Sequence, residues 1–287
     1  MQQRPIGNRT VSAIGLGGMP MSIEGRPDRE RSIDTIHAAL EAGVTLIDTA
    51  DAYHEHADEV GHNEVLIAEA LRTYGGDTSH VLVATKGGHL RPGDGSWTVD
   101  GRPEYLKEAA KASARRLGVE AIGLYQFHRP DPAVPYAESV GAVRERRSGG
   151  VTKMGGIAKA RAATHAEANR LLAGRVLAVQ NQFSPASRWS LGELAHCARL
   201  GIAFLPWSPL GGITRAAQVG AHHDAFQTVA DARGVSPQQI ALAWELALAP
   251  IVVPIPGASR PTSIQDSVLA VDIELTADEL SALSSAA

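Results

Sequence analysis

The segment Asp48-Thr49-Ala50-Asp51-Ala52-Tyr53 sets a carboxylate and a phenol in one short stretch, directly behind the apolar run Thr45-Leu46-Ile47. That run reads as the end of a buried strand, so both groups fall at a strand end and in the loop that follows. Two later apolar runs end the same way, in Lys86 after residues 81–85 and in His128 after residues 122–127. Taken singly, each has an ordinary role: a loop cap, a half-buried aromatic, a solvated lysine, a satisfied core histidine. Gathered at one rim, the four suit the reduction of a carbonyl. A free phenol titrates at about 10. A lysine ammonium beside it favours the phenolate and lowers that value, which makes Tyr53 a proton donor near neutral pH. Asp48 keeps Lys86 charged and aimed, and His128 orients the carbonyl oxygen by a hydrogen bond. Such a reaction needs no nucleophile, but it does need a hydride donor bound alongside.

The elements that must carry these groups repeat one pattern. Gly7-Asn8 lies between β-forming residues and signals a short N-terminal β-hairpin. A first core strand is expected over 12–18, and a helix over 28–42 with Gly43 as its stop. Strands then alternate with helices. The strand over 45–48 precedes a helix over 63–74, and 81–85 precedes 103–117. Next come 122–127 before 136–147, 153–158 before 165–172, and 176–182 before 191–200. The strand over 202–207 leads into a longer helix-bearing insertion through Arg233. A helix over 236–248 follows, with Pro237 in its first turn and a capping box between Ser236 and Gln239. A last strand over 251–255 and helices over 264–269 and 277–283 complete the chain. Eight strand–helix units without a linker or a composition break predict an α/β fold: one (β/α)8 TIM barrel domain over 1–287. An open doubly wound sheet would show a longer glycine fingerprint than Gly15-Leu16-Gly17-Gly18. In a barrel, polar residues at the C-terminal ends of strands share one mouth.

The bulk numbers bound the partners. The 287 residues are 44% hydrophobic and 20% charged, with 27 basic and 31 acidic side chains giving a net charge of −4. No clustered Lys and Arg mark a nucleic-acid groove, and no apolar run approaches the roughly 20 residues of a membrane span. The single Cys197 forms no internal disulfide and fits a reducing compartment. The expectation is a cytoplasmic protein, monomeric by default, that acts on a small-molecule carbonyl.

Several blocks, in order, resemble the aldo-keto reductases. They are Asp48 to Tyr53, Ala84-Thr85-Lys86-Gly87-Gly88, Tyr125-Gln126-Phe127-His128-Arg129-Pro130-Asp131, Gln180-Asn181-Gln182, Trp207-Ser208-Pro209-Leu210-Gly211 and Ile255-Pro256-Gly257-Ala258. The resemblance implies a (β/α)8 carbonyl reductase using NADPH, with NADH possible, and an Asp-Tyr-Lys-His tetrad matched by Asp48, Tyr53, Lys86 and His128. It also implies that Gln180 bonds the nicotinamide carboxamide and that Trp207 stacks on the nicotinamide ring. Ser208, Leu210 and Gly212 would line the pyrophosphate, with Ser259 and Arg260 at a phosphate site after the eighth strand. Two positions depart from the family pattern. Ala158-Lys159 replaces the usual Ser-Asn pair, so Lys159 is expected to substitute in part, with some loss of cofactor affinity. Ser263 stands where many members carry an arginine for the adenosine 2′-phosphate, which weakens the NADPH preference that Arg260 supports.

Two other functions compete. His54-Glu55-His56 could serve a metal-dependent hydrolase on the same barrel, although such pairs belong within a strand and this one follows Tyr53 in a loop. A non-catalytic regulator that binds the cofactor would have no use for an intact tetrad.

Overall fold

The computed structural model describes residues 1–148, 152–158, 167, 168, 170 and 176–286. Strands β1 (Gln3–Ile6) and β2 (Arg9–Ser12) pair antiparallel, as the Gly7-Asn8 turn predicts, with Gly7 at φ +60°. The first core strand, β3 (Leu16–Gly17), is shorter than expected. It is followed by β4 (Leu46–Asp48) and β5 (Leu82–Gly87). A small antiparallel hairpin, β6 (His89–Leu90) with β7 (Thr98–Val99), comes next. Then come β8 (Ile122–Phe127), β9 (Thr152–Ala158), β10 (Val176–Gln182) and β11 (Ala203–Trp207). The main sheet is parallel and ordered β11-β10-β9-β8-β5-β4-β3.

The segment expected as the eighth strand closes the barrel without forming a regular ladder. Phe204 and Trp207 of β11 bridge to Val252 and Ile255, and Gly17 of β3 bridges to Gly257. Toward β11, Val253 and Ile255 donate their N–H groups to the carbonyls of Phe204 and Pro206. Toward β3, Pro254 and Pro256 can only accept, and they do so from the N–H groups of Gly15 and Gly17. Proline has no N–H, so half of that ladder cannot form.

The helices are α1 (Arg29–Glu41), α2 (His62–Thr73), α3 (Pro103–Leu117), α4 (Tyr136–Ser148), α5 (Leu191–Leu200), α6 (Val219–His222), α7 (Asp224–Arg233), α8 (Pro237–Leu248), α9 (Pro261–Val268) and α10 (Ala277–Ala286). The helix expected over 165–172 lies outside the described residues except at 167, 168 and 170. Neighbours touch in turn, α1 on α2, α2 on α3 and α3 on α4, while α9 packs back on α1. Their ends follow local chemistry. Asp28 caps α1 by accepting from the Arg31 N–H, and Gly118 stops α3 at φ +67°. Only half of the capping box expected on α8 forms. Ser236 accepts from the Gln239 N–H, but the Gln239 amide donates to Asp266 instead of reaching back. At α10 both halves form between Thr276 and Glu279. No helix among the described residues is long and apolar enough to cross a membrane.

The barrel interior explains where the polar residues go. Leu46, Ala84, Leu124, Ala178 and Leu205 meet in one buried cluster, capped from the hairpin by Ile6 and Val11. Side chains two apart on a strand share a face. The next residues on these inward faces are Asp48, Lys86, Gln126, Gln180 and Trp207. An apolar floor thus carries a polar layer at the C-terminal end of the sheet.

Candidate active site

Asp48 and Lys86 lie on the adjacent strands β4 and β5 and form a fully buried ion pair, Lys86 Nζ to Asp48 Oδ2 at 2.6 Å. The ammonium also donates to the Thr49 carbonyl at 2.8 Å and to the Tyr53 hydroxyl at 2.9 Å, so its three protons have three acceptors. It also sits 4.7 Å from the Tyr53 ring centroid. The other oxygen of Asp48 accepts from Gln180 Nε2 at 2.7 Å and from Gln126 Nε2 at 3.5 Å. Sequence reasoning missed Gln126, although its inward place two residues after Leu124 was a usable signal. The His128 ring follows β8 and stands edge-on to Tyr53, with centroids 5.8 Å apart.

The loop that carries Tyr53 is pinned from both sides. Thr49 donates to the Asn63 side-chain oxygen at 2.6 Å, and Asn63 Nδ2 donates to the Gly18 carbonyl at 2.9 Å. A Cβ at Gly18 would lie 2.5 Å from that Asn63 oxygen, so only glycine lets the first strand end approach this loop.

Burial pushes the Tyr53 phenol above its ordinary range, and the nearby Lys86 charge only partly opposes this. The expected lowering is therefore corrected: desolvation outweighs the single ammonium, and Tyr53 keeps its proton at neutral pH. Burial alone would lower Lys86, but the Asp48 carboxylate and Tyr53 more than offset it and hold the ammonium above the usual lysine range. Burial raises Asp48, against the pull of Lys86 and the two glutamine amides. The cluster can hold a proton on Tyr53 and stabilise the phenolate once that proton leaves.

These residues open onto a cavity of about 360 Å³. Asp48, Tyr53, His128, Gln180, Trp207, Ser208, Leu210 and Gly212 line it, with Lys86 directly behind Tyr53. Met19 and Trp97 form apolar wall on the same cavity, which also takes in His89 and Arg129. The His89 ring packs 4.7 Å from both the His128 and Trp97 rings. No pattern in the sequence marks His89, while Arg129 stands in the block that resembles the family, which by itself assigns it no role. Ser259, Arg260 and Ser263 lie just beyond the lining residues Ile255, Pro256 and Gly257. The Arg260 Nε donates to the Ser263 hydroxyl at 3.0 Å. Lys159 lies outside the described residues, and Ala158 before it lines the cavity.

The lining of the cavity suits the nicotinamide and pyrophosphate of a dinucleotide. Trp207 offers a flat aromatic wall beside Gln180. The following loop has left-handed backbone at Ser208 (φ 51°), Gly211 and Gly212. The N–H groups of Leu210 and Gly212 find no protein acceptor among the described residues. Backbone donors left open in such a turn suit an anion.

The hydrolase alternative gains no support. His54 is buried with its Nδ1 bonded to the His56 carbonyl at 2.7 Å, and the His56 side chain is engaged separately, accepting from the Glu59 N–H. No three His, Cys, Asp or Glu side chains among the described residues could hold a metal ion. Cys197 is buried on α5 with its thiol pushed up to about 12, and Asp224 begins α7 behind His223.

A (β/α)8 barrel with an acid, a tyrosine, a lysine and a histidine at one mouth defines a class of carbonyl-reducing oxidoreductases. The chain belongs to the aldo/keto reductase family, whose model matches residues 13–287. It is 34% identical over 277 residues to an uncharacterized oxidoreductase of Schizosaccharomyces pombe, covering 95% of this chain and 86% of that one. A thermostable aldo-keto reductase crystallised with the inhibitor epalrestat superposes with a TM-score of 0.83 at 24% identity, over 100% of both chains. A Klebsiella pneumoniae aldo-keto reductase in complex with NADPH does so at 0.81 and 24%, covering 99% of this chain and 95% of that one.

Proposed function

We propose that this protein reduces an aldehyde or ketone to the alcohol, with Tyr53 giving the proton to the carbonyl oxygen. Bound NADPH, or NADH less readily, supplies the hydride. One observation carries the reading: Lys86 Nζ lies 2.9 Å from the Tyr53 hydroxyl and 2.6 Å from Asp48, at the base of the cavity. Tyr53 holds its proton until oxygen begins to carry charge, and Lys86 then stabilises the phenolate left behind. Asp48 keeps Lys86 charged. His128 donates to the carbonyl oxygen and fixes which face of the substrate is presented.

Family membership supports the cofactor-side roles. Trp207 stacks on the nicotinamide. The Gln180 amide nitrogen is engaged by Asp48, so its Oε1 accepts from the carboxamide. Ser208, Leu210 and Gly212 hold the pyrophosphate through backbone donors. Ser259, Arg260 and Ser263 take the adenosine phosphate, and Lys159 takes part of the role of the family's missing Ser-Asn pair. We read the chain as one cytoplasmic barrel domain, monomeric. The match over 13–287 and the closed sheet support a single domain, and a lone buried Cys197 fits a reducing compartment.

The test is NADPH consumption across a panel of carbonyls, with Tyr53→Phe as the control. The variant should lose roughly 10²–10⁴-fold in kcat, the usual worth of a positioned proton donor. Undiminished turnover by Tyr53→Phe removes the proton-donor assignment.

A further inference from the structure

Arg129 directly follows the tetrad histidine, is exposed, and lines the same cavity. It makes no ion pair or side-chain hydrogen bond among the described residues. The acid nearest in sequence, Asp131, is committed elsewhere: its two oxygens accept from the backbone N–H groups of Gly101 and Ala133, at 2.9 and 2.8 Å. The one acidic side chain among the described lining residues is Asp48, which Lys86 and two glutamines already occupy. Among the described residues, then, nothing compensates the Arg129 guanidinium.

Trp97 lines the same cavity and is packed in place by its neighbours. The Arg91 guanidinium lies 4.6 Å from its ring centroid and His89 packs at 4.7 Å, while Arg91 is itself tied to Glu24. A flat apolar wall and a planar cation with no partner among the described residues thus border one cavity, that of the proposed carbonyl chemistry. A neutral substrate that covered Arg129 would strip water from the charge and return nothing. A carboxylate would meet the guanidinium through two parallel hydrogen bonds.

We propose that Arg129 selects carbonyl substrates bearing a carboxylate at the end remote from the reacting carbon, with their apolar body against Trp97. The proposal rests on the reductase function above and names its substrate class. Arg129 is a specificity residue, so its effect falls on discrimination between substrates.

The experiment compares NADPH-dependent reduction of 4-carboxybenzaldehyde with that of its methyl ester, which has the same ring and aldehyde without the charge. The readout is the ratio of kcat/KM, acid over ester, in the native protein, Arg129→Met and Arg129→Glu. The ratio should fall by about 10- to 100-fold in Arg129→Met, the usual worth of a hydrogen bond to a charged group, mainly through KM. Arg129→Glu should lower it further, and added salt should lower it in the native protein alone. Both substitutions are at an exposed position, so the fold is retained. A ratio that is the same in all three proteins overturns the role of Arg129 and leaves the reductase function standing. Failure of the native protein to oxidise NADPH with either aldehyde or with the wider carbonyl panel overturns both.

Discussion

Asp48 and Glu245 are both buried acids, 3% and 0% exposed, and they sit in opposite circumstances. Asp48 has a lysine ammonium on one oxygen and two amides on the other. Glu245, on α8, has no hydrogen-bond partner on either oxygen among the described residues, and burial alone raises its carboxyl well above the ordinary range. Asp51 falls between them. One of its oxygens accepts from the Tyr105 hydroxyl at 3.2 Å and the other has no partner among the described residues. Burial, aided by Glu64, pushes it up to about 8. Burial alone therefore does not make an acid useful. The position with a cation and donors arranged around it can keep a charge and do chemistry, while the bare position stays protonated and weakens the fold.

The contrast can be broken most severely at Lys86. Lys86→Met leaves Asp48 buried without its cation and should cost about 3–5 kcal/mol of stability, measured by denaturant unfolding, with carbonyl reduction abolished. An unfolding midpoint equal to that of the native protein would show that the pair does not hold the site.

Glu245→Leu sharpens the other side. The unfolded chain releases this proton above its ordinary pKa of 4.5, while the folded chain keeps it. The folded state then binds more protons, so the native protein loses about 1.4 kcal/mol of stability per pH unit from this group as pH rises past that value. Below it the contribution is fully present. Glu245→Leu should be more stable than the native protein at pH 7, by about 1–3 kcal/mol, and should lack that slope. Parallel stability curves for the two proteins between pH 5 and 7 would count against an unpartnered Glu245.

The smallest effect belongs to an exposed pair. Arg233 and Glu279 meet at 2.6 Å, with side chains 28% and 24% exposed. Glu279→Gln should change stability by less than about 1 kcal/mol, and by still less in high salt. A loss matching that of Lys86→Met would erase the distinction between buried and exposed pairs.

Much of the site was legible because the barrel interior repeats every two residues. Asp48, Lys86 and Gln180 each lie two places after an inward apolar residue, so strand periodicity alone brings them to one layer. Tyr53 and His128 needed only the loops that leave those strands. The β6–β7 hairpin was not legible, since a two-residue strand is too short to show alternation. The eighth strand was expected as an ordinary one because Ile251 to Ile255 is apolar, and its prolines prevented a full ladder. The sign of the Tyr53 shift was also hidden. The sequence shows that a lysine is near, whereas the depth of burial that outweighs it appears only once the walls are built.

Those prolines set the alignment of the barrel's two ends. Val253 and Ile255 face β11 with N–H groups that donate, and Pro254 and Pro256 face β3 with carbonyls that accept. Sliding the segment by one residue would turn the prolines toward β11, where neither could replace a lost donor. Of the two ways the segment can face, only the observed one keeps every available bond, and in it Gly17 meets Gly257 at the edge of the cavity. A Pro254→Ala, Pro256→Ala double variant would relax this lock, restoring donors on the β3 side and making the shifted pairing chemically possible for the first time.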